Sequence, residues 1–297
     1  MNALPARLTL KITLCYTPKN PIQIEGKSDV IKRQRHNLCT TEKGGGLYIK
    51  DYEVEIQGQV NYISSLVGYK TPARYSARAE FVFDTLELKN KRVLDVGCGK
   101  GGLLAWAALQ GAAFVLGLEP EENGAVGGSY ATLEKVVSTL SLDTVEISRS
   151  TLDSYSFSKP FDIVILYNVI NHLNEHAVVD LHSNPDSYNI FLGIAKKIRS
   201  VMAANGVLIL ADAARSNLWG DLGTKSPFAR TLEWRKHQNP AIWRALFEHV
   251  GFRTLDLRWS QHYLLGKWSS NFLMRYVTSS HFVMRFILDN ENTMGNR

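Results

Sequence analysis

Cysteine is scarce in this sequence, and its three copies (Cys15, Cys39, Cys98) form no C-x-x-C pair. That scatter excludes a disulfide framework and a zinc knuckle, and makes a reducing, cytoplasmic setting the expectation. No run of 18 or more uncharged apolar residues occurs, so no membrane-spanning helix is expected. Residues 1–15 alternate apolar and polar positions and include Arg7 and Lys11. They lack a compact apolar stretch followed by a small-residue cleavage site, so no secretory leader is expected. Repeats and low-complexity tracts are absent as well. Net charge is scarce outside one segment. Of the formal +6, residues 1–45 carry an excess of five (eight Lys/Arg against three Asp/Glu), leaving about one for the rest. The basicity belongs to an arm, expected to be solvated, and the body has no nucleic-acid footprint.

What is present is a regular alternation. A Gly/Thr-punctuated linker runs from Cys39, order is expected from about Leu47, and two helices are expected within 60–69 and 73–88. From Lys91 onward, short apolar runs alternate with helical segments. "RVLDVGC", "FVLGLEP", "TVEIS", "FDIVILYN" and "GVLILADAA" read as strands. "GLLAWAALQG", "YATLEKVVSTLS", "NIFLGIAKKIRSVMAAN" and "PAIWRALFEHVG" read as helices, and "FRTLDLRW" and "SHFVMRFIL" close the chain as strands. Runs such as "IVIL" and "VLIL" suit parallel strands covered on both faces. The pattern predicts an α/β fold with a doubly wound, mostly parallel sheet. The domain plan is a basic arm (1–45), a helical cap (46–90) and a ligand-binding domain (91–297) with an insertion at 215–240.

The first strand runs into "DVGCGKGG", Asp95 to Gly102. Glycine at 97, 99 and 101 permits a tight turn and a close ligand approach, and the helix that follows aims its amide groups there. The loop also fits G-x-G-x-x-G, so a nicotinamide-dependent oxidoreductase competes. Asp95, two residues before the first glycine, opposes a diphosphate but suits a ligand bearing a cation. Glu119, closing the second strand, can accept both hydroxyls of a ribose.

Together "VLDVGCGKGG" and "VLGLEP" resemble motifs of the class I S-adenosylmethionine-dependent methyltransferases, in element order across about residues 72–288. The resemblance implies a seven-stranded Rossmann-like sheet with an antiparallel last strand, and S-adenosyl-L-methionine as cofactor. It makes Asp95, Gly97, Cys98, Gly99 and Gly101 the loop under the methionine part. Glu119 with Pro120 would sit at the ribose. The adenine contact falls to Ser150, Thr151 or Asp153. Asn168, at the end of the fourth strand, would lie beside the cofactor.

"HLNEH", His172 to His176, spells the H-x-x-E-H signature of one zinc protease class. Its position after the fourth strand gives it another reading. Asn171 and His172 are expected at the cofactor–substrate junction, with His172 either the candidate base or orienter or a satisfied structural histidine, His176 more exposed, and no metal site expected. Magnesium of the catechol-methyltransferase kind needs acids after the fourth and fifth strands. Asp212 offers one and Tyr167-Asn168 no match. The long insertion, with Trp219, Trp234 and His237, and the N-terminal helices, with Tyr69, Arg74 and Tyr75, are expected to close a substrate pocket. The expected acceptor is a small, partly apolar metabolite methylated at oxygen, nitrogen or carbon. Besides the oxidoreductase, a non-catalytic binding protein that keeps the fold is the competing reading.

Overall fold

Among the described residues seven strands form: β1 (Arg92–Val96), β2 (Phe114–Leu118), β3 (Val145–Ser148), β4 (Phe161–Tyr167), β5 (Met202–Ala213), β6 (Phe252–Trp259) and β7 (His281–Leu288). The computed structural model describes residues 46–121, 127–260, 271–278 and 280–288, and the basic arm lies outside them. The strands make one sheet in the order β3-β2-β1-β4-β5-β7-β6. Neighbours from β3 through β5 pair in parallel, and β7 runs antiparallel to both β5 and β6. The seven-stranded sheet with its antiparallel last strand is the one the motifs imply.

The helices are α1 (Gly46–Val67), α2 (Pro72–Phe83), α3 (Gly102–Leu109), α4 (Ser129–Thr139), α5 (Glu175–Asp180), α6 (Pro185–Ser200), α7 (Leu218–Asp221), α8 (Pro240–His249) and α9 (Phe272–Val277). Alternation along the strands sends apolar side chains to both faces, and two cores result. Phe191 and Ile198 of α6 with Trp243 and Phe247 of α8 pack on Leu94, Leu208 and Leu210. On the opposite face, Ile63, Tyr75, Leu104 and Leu133 from α1 to α4 pack on Val93, Val115 and Ile209. Helix starts follow capping rules. Thr71 accepts the Arg74 N–H with Pro72 next to it, and Asn184 accepts the Asp186 N–H with Pro185 next to it.

Two expectations change. Helix α1 starts at Gly46, so the short helix expected at 60–69 is the end of a 22-residue one. Helix α6 stops at Ser200, and "MAAN" joins β5 through an irregularity where the β4 partner jumps from Met202 to Val207. Asn205 there takes a φ of 58°, a left-handed turn that no helix continues. Strand order reverses between β1 and β4, so the carboxyl ends of β1, β2 and β4 frame the crevice where open α/β sheets bind ligands.

Candidate functional site

At the end of β1 the chain turns through Gly97, Gly99 and Gly101 with φ of 63°, 53° and 78°. A Cβ on Gly97 would come within 2.3 Å of Val169 Cγ2, and one on Gly101 within 2.4 Å of Leu133 Cδ1. Glycine is required at both by backbone conformation and by space. The loop is fastened to β2: the Cys98 N–H donates to the Leu118 carbonyl at 3.1 Å. The Gly99 N–H donates to Glu119 Oε2 at 2.6 Å. Glu119 is buried, and its other oxygen accepts the Glu121 N–H at 3.3 Å. Each oxygen of this carboxylate keeps capacity for a further donor.

Asp95 lies beneath the loop, 2% exposed. Burial, then the charge of Glu119, raises its carboxyl to about 8. Burial first, then Asp95 and Glu119, also pushes the Cys98 thiol well up, so it stays protonated rather than becoming a nucleophile.

These groups open onto a cavity of about 920 Å³. Asp95, Gly97, Cys98, Gly99, Glu119, Pro120, Ser150, Thr151, Asn168 and His172 all line it. Gly101 stands one step back, turning the chain into α3. At the β3 end, Ser150 Oγ is bonded to Ser148 Oγ at 3.0 Å and Thr151 Oγ1 to Ser154 Oγ at 3.0 Å. Leu152 is buried in the wall and Asp153 is exposed at its edge.

The loop after β4 supplies the opposite wall. Asn168 takes a φ of 54° and its N–H donates to the Ala211 carbonyl at 2.8 Å. Its Oδ1 accepts from His281 Nε2 at 3.0 Å, while His281 Nδ1 bonds Ser260 Oγ at 2.8 Å. Burial, then Arg78 and His237, lowers the His281 pKa to about 3, so this ring is a neutral brace. His172 ends a 3₁₀ turn (Ile170–His172), and Asn174 then caps α5. The H-x-x-E-H residues therefore do not share one helix, and His176 is exposed. His172 Nδ1 donates to Glu175 Oε1 at 2.6 Å, and Lys236 Nζ donates to Glu175 Oε2 at 2.8 Å. Hydrogen bonds from Lys236, then His172, hold the Glu175 carboxyl below its ordinary range. With Nδ1 committed, Nε2 is the lone-pair nitrogen, and Asn171 Nδ2 lies 3.4 Å from it.

Five residues expected at the substrate fall outside the cavity wall. Tyr75 is buried behind the loop, where its hydroxyl donates to the Gly102 carbonyl at 2.8 Å. Trp219 Nε1 donates to the Val277 carbonyl at 2.6 Å. The polar atoms of these two side chains are spent on backbone, and neither residue lines this cavity. Asn171, Trp234 and His237 are buried and do not line it. The sequence reading missed Glu175 and Lys236 as partners of His172, and Val169, Ile190 and Ile194 as apolar wall. Glu175 was visible within H-x-x-E-H, but Lys236 stands 61 residues away and carried no local signal.

Comparison with known proteins agrees with this geometry. The family model described as "Methyltransferase domain" matches residues 68–257, more than half of the chain. A ubiquinone biosynthesis O-methyltransferase of Neisseria meningitidis serogroup C is 26% identical over 197 residues, 64% of this chain and 75% of that enzyme. The fold is similar to that of geranyl diphosphate C-methyltransferase from Streptomyces coelicolor, solved with Mg²⁺, geranyl diphosphate and S-adenosyl-L-homocysteine. That likeness has a TM-score of 0.51 at 12% identity and covers 86% of each chain. No described helix is long and apolar enough to cross a membrane. The glycine loop fastened to Glu119, the cavity at the strand-order reversal and the family match lead to one conclusion: the chain belongs to the class I S-adenosylmethionine-dependent methyltransferases.

Proposed function

We propose that the protein methylates a hydroxyl oxygen of a small, partly apolar molecule, with His172 taking the hydroxyl proton. The observation that carries this reading is the Lys236–Glu175–His172 chain, which ends on a lone-pair nitrogen at a cavity-lining residue. A base is needed when the acceptor is a hydroxyl, and a histidine oriented through Nδ1 by a carboxylate is suited to that task. The relative named as an O-methyltransferase supports oxygen as the acceptor atom.

The residues fit the cofactor. The cavity lies high in the roughly 300–1,000 Å³ range of ligand sites, which accommodates a nucleoside cofactor and a small acceptor together. Asp95 and the loop from Gly97 to Gly101 would hold the methionine end, and an ammonium group there would favour the ionised form of Asp95. Glu119 would accept the ribose hydroxyls, Leu152 would flank the adenine, and Ser150, Thr151 or Asp153 would read its amine. When bound, S-adenosylmethionine supplies a methyl group on a cationic sulfur. His172 Nε2 receives the acceptor's proton, Glu175 stabilises the resulting imidazolium, and Lys236 keeps Glu175 ionised. Asn168, braced by His281, holds the wall between the two ligands. The apolar side chains of Val169, Ile190 and Ile194 exclude water and suit the apolar part of the acceptor.

In this reading residues 46–90 form a cap and 215–240 a cover over the acceptor, in a cytoplasmic enzyme that does not use nucleic acid. Replacing His172 with Ala is expected to lower kcat by about 10²–10⁴-fold, with S-adenosylhomocysteine affinity held within about twofold. Steady-state rates and calorimetric titration measure the two. An unchanged kcat would remove His172 as the base.

A further inference from the structure

Among the described residues six large apolar side chains are exposed, and four of them come from two segments that meet: Leu222, Phe228, Phe272 and Leu273. These four are between 46% and 70% exposed. Two hydrogen bonds tie α7 to α9. Trp219 Nε1 donates to the Val277 carbonyl at 2.6 Å, and the Tyr276 hydroxyl donates to Asp221 Oδ2 at 2.7 Å. The Phe228 ring lies 6.5 Å from that of Trp219, and Phe272 stacks on Tyr276 at 6.2 Å. Leu222 follows Asp221 and Leu273 follows Phe272, so the four belong to one neighbourhood. The Arg275 guanidinium braces it, 4.2 Å from the centre of the Trp259 ring and 5.4 Å from that of Phe272. Charge of one sign surrounds these side chains. Residues 215–236 hold five Lys/Arg against two Asp/Glu, an excess of three in a body whose total is about one. Both acids are engaged, Asp221 by Tyr276 and Glu233 by Lys236. Lys225, Arg230 and Arg235 are exposed and have no ion-pair partner among the described residues.

We propose that this face docks the protein on an anionic lipid bilayer. Clustered apolar side chains at a surface, rimmed by polar ones, mark a place that meets a partner or a membrane. Here the rim is cationic, which fits a negatively charged lipid surface. Phe228, Phe272 and the two leucines enter the boundary between headgroups and acyl chains, while Lys225, Arg230 and Arg235 meet the phosphates. A second copy is a poorer occupant, because a two-fold contact sets these cations against their own equivalents. Nucleic acid is poorer too, since Leu222 and Leu273 give bases no ring to stack on. No described helix is long and apolar enough to cross a membrane, so the attachment lies on the bilayer surface. Under the methyl-transfer reading, docking sets the cover at residues 215–240 against a phase in which a partly apolar acceptor concentrates.

The full chain is sedimented with vesicles of phosphatidylcholine alone and with vesicles of phosphatidylcholine and phosphatidylglycerol in equal parts. The wild type is expected to bind the mixed vesicles at least about tenfold more tightly, and to lose most of that binding in about 1 M salt. Replacing Phe272→Ser together with Leu273→Ser should weaken binding to the mixed vesicles by about tenfold or more. Residues 1–45 carry a positive excess of their own, so it is these apolar substitutions that assign the binding to this face. Lys225→Gln with Arg230→Gln should weaken it by roughly ten- to thirtyfold. Tm reports that each variant is folded. Failure of the wild type to bind the mixed vesicles overturns the inference, as does unchanged binding by a folded Phe272→Ser/Leu273→Ser variant. Should that variant fail to fold, the Lys225→Gln/Arg230→Gln variant decides, and unchanged binding by it overturns the inference. A wild type that dimerises in solution while the apolar variant stays monomeric assigns the face to a second copy and also overturns it. Vesicle binding needs neither cofactor nor acceptor, so its failure sinks this inference and leaves the methyl-transfer reading standing.

Discussion

Asp95 shows how one side chain can link ligand choice to stability. Its carboxyl stands near 8 in the folded protein, against roughly 3.9 in an unfolded chain. The folded state therefore holds a proton that the unfolded state has released. The resulting stability is fully present below the unfolded value and is lost as pH rises through about 8. Urea midpoints of the free protein at pH 5 and pH 8 should fall more for the wild type than for Asp95→Asn. Parallel falls would contradict the protonated reading. Glu119 gives a second residue-level test. Glu119→Ala removes the acceptor of the Gly99 N–H and the proposed ribose ligand, so S-adenosylhomocysteine affinity should drop by about 1–3 kcal/mol. Asp95 and Glu119 were legible in the sequence because each stands at a fixed offset from a strand end. Of the groups that orient His172, Glu175 stands three residues on within H-x-x-E-H, whereas Lys236, 61 residues from Glu175, leaves no local pattern.

At the scale of elements, the sheet sets the glycine loop against the β4 loop, with Gly97 facing Val169. Gly97→Ala puts a methyl group 2.3 Å from Val169 Cγ2 and a side chain at a φ of 63°. A loss of about 1–3 kcal/mol in stability is expected from the backbone conformation alone, together with weaker cofactor binding. Adding Val169→Ala should restore part of the cofactor affinity but not the conformational cost. Full restoration of both, measured by thermal unfolding and titration, would mean that the backbone conformation is not what requires glycine. The strands were readable as short apolar runs, and capped starts such as Asn184-Pro185 follow the rules for helix entry. The boundary between α6 and β5 was misread because "MAAN" has good helical composition, while pairing of Met202 with Phe161 draws it into the sheet. The insertion was visible as a long aromatic segment. Its burial was not, and two of its expected contacts, Trp234 and His237, turned inward. The third, Trp219, is tied to the Val277 carbonyl.

For the whole molecule, the fold and the cofactor followed from two motifs and their order, because the class I sheet places every ligand at the same strand ends. The acceptor did not follow, since no motif of the sequence names it and the cavity wall opposite the glycine loop is assembled from the β4 loop and α6, which are distant in sequence from that loop. The excess of positive charge in residues 1–45 lies outside the described residues, and the body that forms the site carries about one net charge. The central claim is transfer of a methyl group to a hydroxyl of a small molecule. The most direct measurement incubates a small-molecule extract with the protein and S-adenosylmethionine carrying a deuterated methyl group, then analyses the products by mass spectrometry. A small product bearing the labelled methyl on oxygen, absent with His172→Ala, is the predicted result. Label found on nitrogen or carbon, or in no small molecule at all while the protein binds S-adenosylhomocysteine, would contradict it.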